Sequence, residues 1–219
     1  MSLRQFTSSG WKSCLVGLAM LVMAGCASGP KPAAEGQDGS VDADGQAEMV
    51  RDVPPEALTL YEQAVASMAS GDNIDAELRL QEFLLQYPDY PGAYVNLAII
   101  FSGRDDLQAA ENSLTDALII DPEHAAALNQ LGMLLRRQGK FQEAEAAYLK
   151  AVTASPDYAL AHYNLGVLND LYLRQLEDAL LHYERYLELV DEEDKQVTRW
   201  IVDLKRRITA TQRTANVTE

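Results

Sequence analysis

Cysteine is almost missing from this chain: 219 residues contain two, Cys14 and Cys26. Both lie in the first 26 residues, so no disulfide framework holds the body and its fold rests on packing alone. Basic residues are outnumbered, 18 Lys and Arg against 33 Asp and Glu, for a formal charge of −15. Phosphate binding needs a basic face, so this balance argues against a nucleic-acid partner. The histidines, His124, His162 and His182, have no Cys, His or carboxylate partner at a recognised metal-ligand spacing. A glycine-rich phosphate loop, a Gly-x-Ser-x-Gly elbow and a kinase signature are all lacking. Acid pairs such as Asp105–Asp106 and Glu143 with Glu145 read as solvated, helix N-terminal charges. The expectation is a chain without catalytic residues, metal or cofactor.

Long apolar runs are missing too, with one exception. Arg4 and Lys12 form a positive start, no acid precedes Glu35, and Cys14 to Ala24 is an apolar run of signal-peptide length. It is shorter than the roughly 20 residues that a membrane span needs. The run ends in Met23-Ala24-Gly25-Cys26, which resembles the lipobox of bacterial lipoproteins. That resemblance implies a signal peptide over 1–25 and a lipidated Cys26 as first residue of the mature protein. Ala27 and Ser28 follow in place of a retention aspartate, which implies lipid anchoring at the periplasmic face of the outer membrane. Each buried CH₂ contributes about 0.8 kcal/mol, so two or three acyl chains hold firmly where one does not. Residues 26–53 are rich in Gly, Ala, Pro, Ser, Asp and Gln and contain no aromatic residue, the composition of a disordered tether.

Beyond this the chain repeats itself. Tyr94, Leu97, Ala98, Phe101, Ala110, Leu114, Ala117 and Pro122 are followed 34 positions later by Leu128, Leu131, Gly132, Leu135, Ala144, Tyr148, Ala151 and Pro156. Large, small and proline positions match at all eight places. Residues three and four apart share a helical face, small residues mark close helix approach, and prolines end each unit. This segment resembles the tetratricopeptide repeat family. The resemblance implies an all-α solenoid of about four antiparallel helix pairs over 54–190.

The units differ in regularity. The first has Leu60, Ala64, Ala76, Leu80, Phe83 and Pro88, but Gln63 and Ser67 stand at large apolar places and Phe83 at a small one. Gly103 and Gly139 are placed as helix C-terminal glycines, and Asp72 as an N-cap. In the fourth unit Gly166 to Ala179 spans 13 residues where Gly132 to Ala144 spans 12, which predicts a longer helix or a distorted turn near 172–175. Residues 191–219 read as a capping helix with Val197, Trp200, Ile201, Leu204 and Ile208 turned inward, and a frayed tail from about Thr211.

The family resemblance also implies that the first helix of each unit lines a groove for a peptide or a partner helix. It points to Tyr61, Val65 and Met68 in the first unit, and to Val95, Asn96, Ile99 and Ser102 in the second. Asn129, Gln130, Met133, Arg136 and Arg137 follow in the third, and Tyr163, Asn164, Val167 and Asp170 in the fourth. Asn96, Gln130 and Asn164 recur 34 apart, and side-chain amides can both donate to and accept from a peptide backbone. Solvation of the groove wall is the alternative. Arg136 and Arg137 are a cationic pair suited to a carboxylate, and they also suit the last turn of a helix. The family's dedicated carboxylate clamp is not recognisable, because its lysines are missing. The functional expectation is a non-enzymatic scaffold for a cell-envelope protein, similar to lipoproteins that assemble pili or secretins. An adaptor for cell-wall hydrolases, and an enzyme or metal binder with an unrecognised site, are the alternatives.

Overall fold

The computed structural model describes residues 54–217, with side chains to 213, so the signal peptide, Cys26 and the tether lie outside the described residues. The order is α1 (Pro55–Ala69), α2 (Asn73–Gln86), α3 (Pro91–Gly103), α4 (Leu107–Ile120), α5 (Ala125–Arg137), α6 (Phe141–Ala154), α7 (Ala159–Leu168), a π-helical segment (Asn169–Leu173), α8 (Leu176–Leu189) and α9 (Lys195–Val217). Odd and even helices pair as antiparallel hairpins, and α9 packs on α8. Among the described residues there is no strand, and no helix is long and apolar enough to cross a membrane.

Close approach within a hairpin is set by the small positions. A Cβ on Gly132 would stand 2.5 Å from the Tyr148 ring, and one on Gly166 would stand 2.6 Å from Tyr183. Each glycine therefore makes the space that a buried aromatic ring of the paired helix fills. The first repeat reverses the device. Phe83, at a small position, is fully buried against Tyr61, Tyr87 and Tyr90, with ring centroids 5.0–5.5 Å apart.

The first three hairpin turns share one hydrogen-bond pattern. Asp72, Asp106 and Lys140 donate their backbone N–H to the carbonyls of Ser67, Phe101 and Leu135, closing a Schellman turn each time. Gly71 (φ 83°) and Gly139 (φ 76°) take the left-handed position. In the second repeat Gly103 is the last residue of α3, and Asp105 (φ 64°), two residues on, adopts the left-handed backbone. Aspartate tolerates that conformation better than most residues. Asp72 and Asp106 cap their helices, accepting from Asp75 N and Ala109 N at 3.1 Å. His124 does the same for α5 through Nδ1, 3.1 Å from Ala127 N.

The fourth turn carries the extra residue. It is absorbed by the π segment, whose wider ring accommodates one residue more than an α-helical turn, and the turn closes at Arg174 (φ 59°). Beyond it, Asp194 caps α9 by accepting from Val197 N at 3.0 Å. Helix α9 continues to Val217. No Gly or Pro interrupts that stretch.

Candidate functional site

Most inner-helix residues singled out from the repeat pattern serve the stacking of repeats. Asn96 Nδ2 donates to the Tyr61 hydroxyl at 2.9 Å, Asn164 Nδ2 donates to Asn129 Oδ1 at 2.9 Å, and Asn129 Nδ2 donates to the Tyr158 hydroxyl at 3.4 Å. Asn96 and Asn129 are each 1% exposed and Asn164 is 7% exposed. The reading of Asn96 and Asn164 as backbone contacts for a ligand is corrected by this burial: their amides already satisfy neighbouring repeats. The geometry follows from the solenoid, in which a residue and its successor 35 positions on, in the next repeat, lean together. Tyr61, Val95 and Val167 are buried with them. Val65, Met68, Ile99, Gln130, Met133 and Tyr163 are half-buried.

The two arginines part company. Arg137 donates to the Ser102 carbonyl at 2.9 Å and to Asp105 Oδ1 at 2.8 Å, so it fastens the third repeat to the end of α3. It is spent on structure. The Arg136 side chain, half-buried, makes no hydrogen bond or ion pair with the described residues.

Arg136 opens onto a cavity of about 630 Å³. Arg137 of α5, Tyr163 and Val167 of α7, Asp170, Leu171 and Tyr172 of the π segment, Tyr183 of α8, and Trp200, Asp203 and Arg207 of α9 complete its wall. Tyr163, Tyr183 and Trp200 form an aromatic patch with centroid separations of 5.5–6.4 Å. Tyr172 stacks on Phe141 at 4.7 Å, yet it and Leu171 remain 45% and 65% exposed, which leaves apolar surface at the rim. Arg207 is held by Asp170 at 2.7 Å and lies 3.7 Å from Asp203. The wall thus presents three arginines and two carboxylates, in a protein whose overall balance is acidic. An apolar or aromatic side chain beside a carboxylate suits this surface: the rings take the apolar part, and Arg136 offers a charge-assisted hydrogen bond.

Burial pushes the Tyr148 hydroxyl up to about 12 and raises Tyr183 as well, so both stay protonated and serve as packing groups. His162, at an aromatic position, is 8% exposed and packs against His182 of α8. Its Nε2 faces the Pro156 carbonyl at 3.1 Å, which makes that nitrogen the donor. Its Nδ1 therefore accepts from His182 Nδ1, 3.1 Å away. Burial lowers both histidines, His182 to about 4 with help from neighbouring His162. Among the described residues no group of three or more His, Cys, Asp or Glu is placed to hold a metal ion.

Repeat pattern alone missed Leu171, Tyr172, Trp200, Asp203 and Arg207. Two signals bore on them: the one-residue insertion after Gly166, and the aromatic ring of Trp200 within the inward stripe of α9.

Residues 101–159 and 130–194 match the tetratricopeptide repeat family model. No curated protein matches the chain. Among solved structures the chain is similar to the pilF protein of Pseudomonas aeruginosa, with 24% identity, TM-score 0.62 and 72% of each chain covered. It is similar to MamA of Desulfovibrio magneticus RS-1, with 21% identity, TM-score 0.57, and 74% of this chain and 90% of that one covered. The first repeat domain of Spaghetti (RPAP3), bound to the HSP90 peptide SRMEEVD, aligns at 21% identity and TM-score 0.50 over 54% of this chain and 95% of that one. At these identities the likeness is one of fold.

Proposed function

We propose that this chain, whose residues 101–194 match the tetratricopeptide repeat family model, is a non-enzymatic scaffold that holds a segment of another cell-envelope protein. The cavity between α5, α7, the π segment and α9 is the anchor point. One observation carries this reading: Arg136, with no partner among the described residues, faces a wall of tyrosine and tryptophan rings. A half-buried guanidinium with no bonded carboxylate keeps its donors open, and a ligand carboxylate can take charge-assisted hydrogen bonds from it. The bound segment carries an acidic residue beside an aromatic or aliphatic one, with a Kd in the micromolar range, about −8 kcal/mol.

The cellular setting is part of the proposal. Cys26 is the lipid attachment point, and the scaffold is tethered to the periplasmic face of the outer membrane. A role in assembling a pilus or secretin fits the lipobox-like ending of the apolar run, and the shared fold with the pilF protein supports it.

Selection of peptides displayed on phage against the purified chain tests the site. Enrichment of acidic-aromatic segments, with loss of binding in Arg136→Glu, is expected. Enriched peptides that bind Arg136→Glu as well as the parent would move the site elsewhere. Fractionation tests the setting: Cys26→Ser should leave the membrane fraction while staying folded, and retention in that fraction would remove the lipid from the account.

A further inference from the structure

Two helices carry an unused row of side chains pointing directly away from the core. On α2 the row is Ile74, Leu78 and Leu85, which are 71%, 62% and 86% exposed, with Gln81 completing a 4-3-4 spacing. Glu82 flanks it, and Glu77 on the other side is already paired with Arg104 and accepts from Gln81. On α9 the row is Lys195, Arg199, Arg206 and Arg213, with Val202, 45% exposed, between the middle pair. Its spacing is again 4-3-4, the interval that keeps side chains along one line of a helix. None of these four cations forms an ion pair or hydrogen bond with the described residues.

The first repeat and α9 are opposite in charge, although Asp191, Glu192, Glu193 and Asp194 directly precede α9. Residues 54–90, the first repeat, contain seven carboxylates and one cation, Arg79. Helix α9 contains six cations and one carboxylate, Asp203. The ends also differ in cover, since α9 seals the last repeat with Val197, Ile201, Leu204 and Ile208, whereas α2 keeps three large aliphatic side chains in solvent.

We propose that the chain associates with a second copy of itself head to tail, with α9 of one molecule lying along α2 of the next. Self-pairing of either row is disfavoured by charge. Two α2 helices laid row on row bring two acidic first repeats together, and two α9 rows bring cation against cation. The crossed pairing sets arginine stems over the leucines, their guanidinium groups reaching Glu82 and the acidic surface of the first repeat, with Val202 in the middle. Equal spacing in both rows lets the helices meet side by side over about three turns. The cavity is not consumed, because Trp200, Asp203 and Arg207 lie on another flank of α9. A contact between unlike surfaces does not close on itself as a two-fold dimer does, so assembly grows with concentration.

Sedimentation velocity of the full chain carrying Cys26→Ser, which keeps acyl chains from driving association, reads the proposal. The expected result is a weight-average sedimentation coefficient that climbs with concentration past the dimer at 50 mM salt and falls to the monomer value at 500 mM. Arg199→Glu with Arg206→Glu spoils one surface, and Leu78→Gln with Leu85→Gln spoils the other. All four positions are solvent-facing, and circular dichroism checks that each variant remains folded. Each variant alone should be monomeric, while their mixture should stop at a one-to-one dimer, since one intact surface of each kind remains. A parent that stays monomeric at low salt overturns the proposal. So does association that survives reversal of the α9 charges, which would mark a two-fold α2 contact. Variants that remain monomeric when mixed, or α9 charges that act only on anionic vesicles, overturn it as well.

Discussion

The second and third repeats follow the 34-residue pattern without interruption, and there Asn96 and Asn129 are buried and bonded to neighbouring repeats. The fourth repeat departs from the pattern by one residue, and there a π segment and α9 enclose a cavity with an uncommitted arginine at its edge. The contrast separates two jobs. Regular repetition consumes its polar groups in holding the stack together, because each hairpin can bury its apolar face only against the next. An irregular turn breaks the register of that consumption and leaves groups free for a ligand, as π segments often do.

The contrast is broken most severely at the glycines. Gly132→Leu forces a side chain into the Tyr148 ring and should cost roughly 1–3 kcal/mol or more. That is a fall in Tm of about 2–12 °C by calorimetry. Gly166→Leu meets Tyr183 in the same way, so the regular and irregular repeats should suffer alike. An unchanged melt in either variant would mean that the helix pairing is wrong. Asn164→Ala comes next. It leaves the buried Asn129 oxygen without its donor and should cost about 1–3 kcal/mol in a denaturant titration, without altering ligand affinity in the folded protein.

A smaller effect sharpens the α7–α8 side of the comparison. Burial depresses both His162 and His182, so the unfolded chain binds protons first as pH falls. Their contribution is complete above the unfolded value of about 6.5 and is lost progressively as pH drops towards about 4, the folded value of His182. Tm should therefore fall between pH 7 and pH 5, and His182→Gln should flatten that part of the profile. An identical slope in the variant would assign the acid sensitivity to other groups. Least of all should stability respond to Arg136→Ala, which removes no hydrogen bond or ion pair to the described residues and should stay within about 0.5 kcal/mol of the parent.

The repeat boundaries, the small positions and the capping helix were legible because each follows from a period that a single sequence displays. Phe83 announced an altered first repeat, and the residue count between Gly166 and Ala179 announced the altered fourth turn. What stayed hidden was the fate of individual polar groups. The recurrence of Asn96 and Asn164 was visible, but a period says only that two residues occupy equivalent places. Whether an amide meets solvent or the neighbouring repeat depends on how far successive hairpins rotate, and periodicity does not encode that. Arg136 and Arg137 are adjacent in sequence and both line the cavity, yet Arg137 is bound to Asp105 while the Arg136 side chain has no such partner. The cavity depends on α9 and the π segment together, two departures from the pattern whose meeting in space only the fold reveals.

Affinity of one selected acidic-aromatic peptide for the parent, Arg136→Ala and Asn164→Ala, measured by calorimetric titration below each variant's melting range, decides between the two regions. The account predicts that Arg136→Ala weakens binding by at least tenfold, about 1.4 kcal/mol, while Asn164→Ala binds as the parent does. Full affinity in Arg136→Ala with a matching loss in Asn164→Ala would return the site to the regular inner face and contradict the assignment.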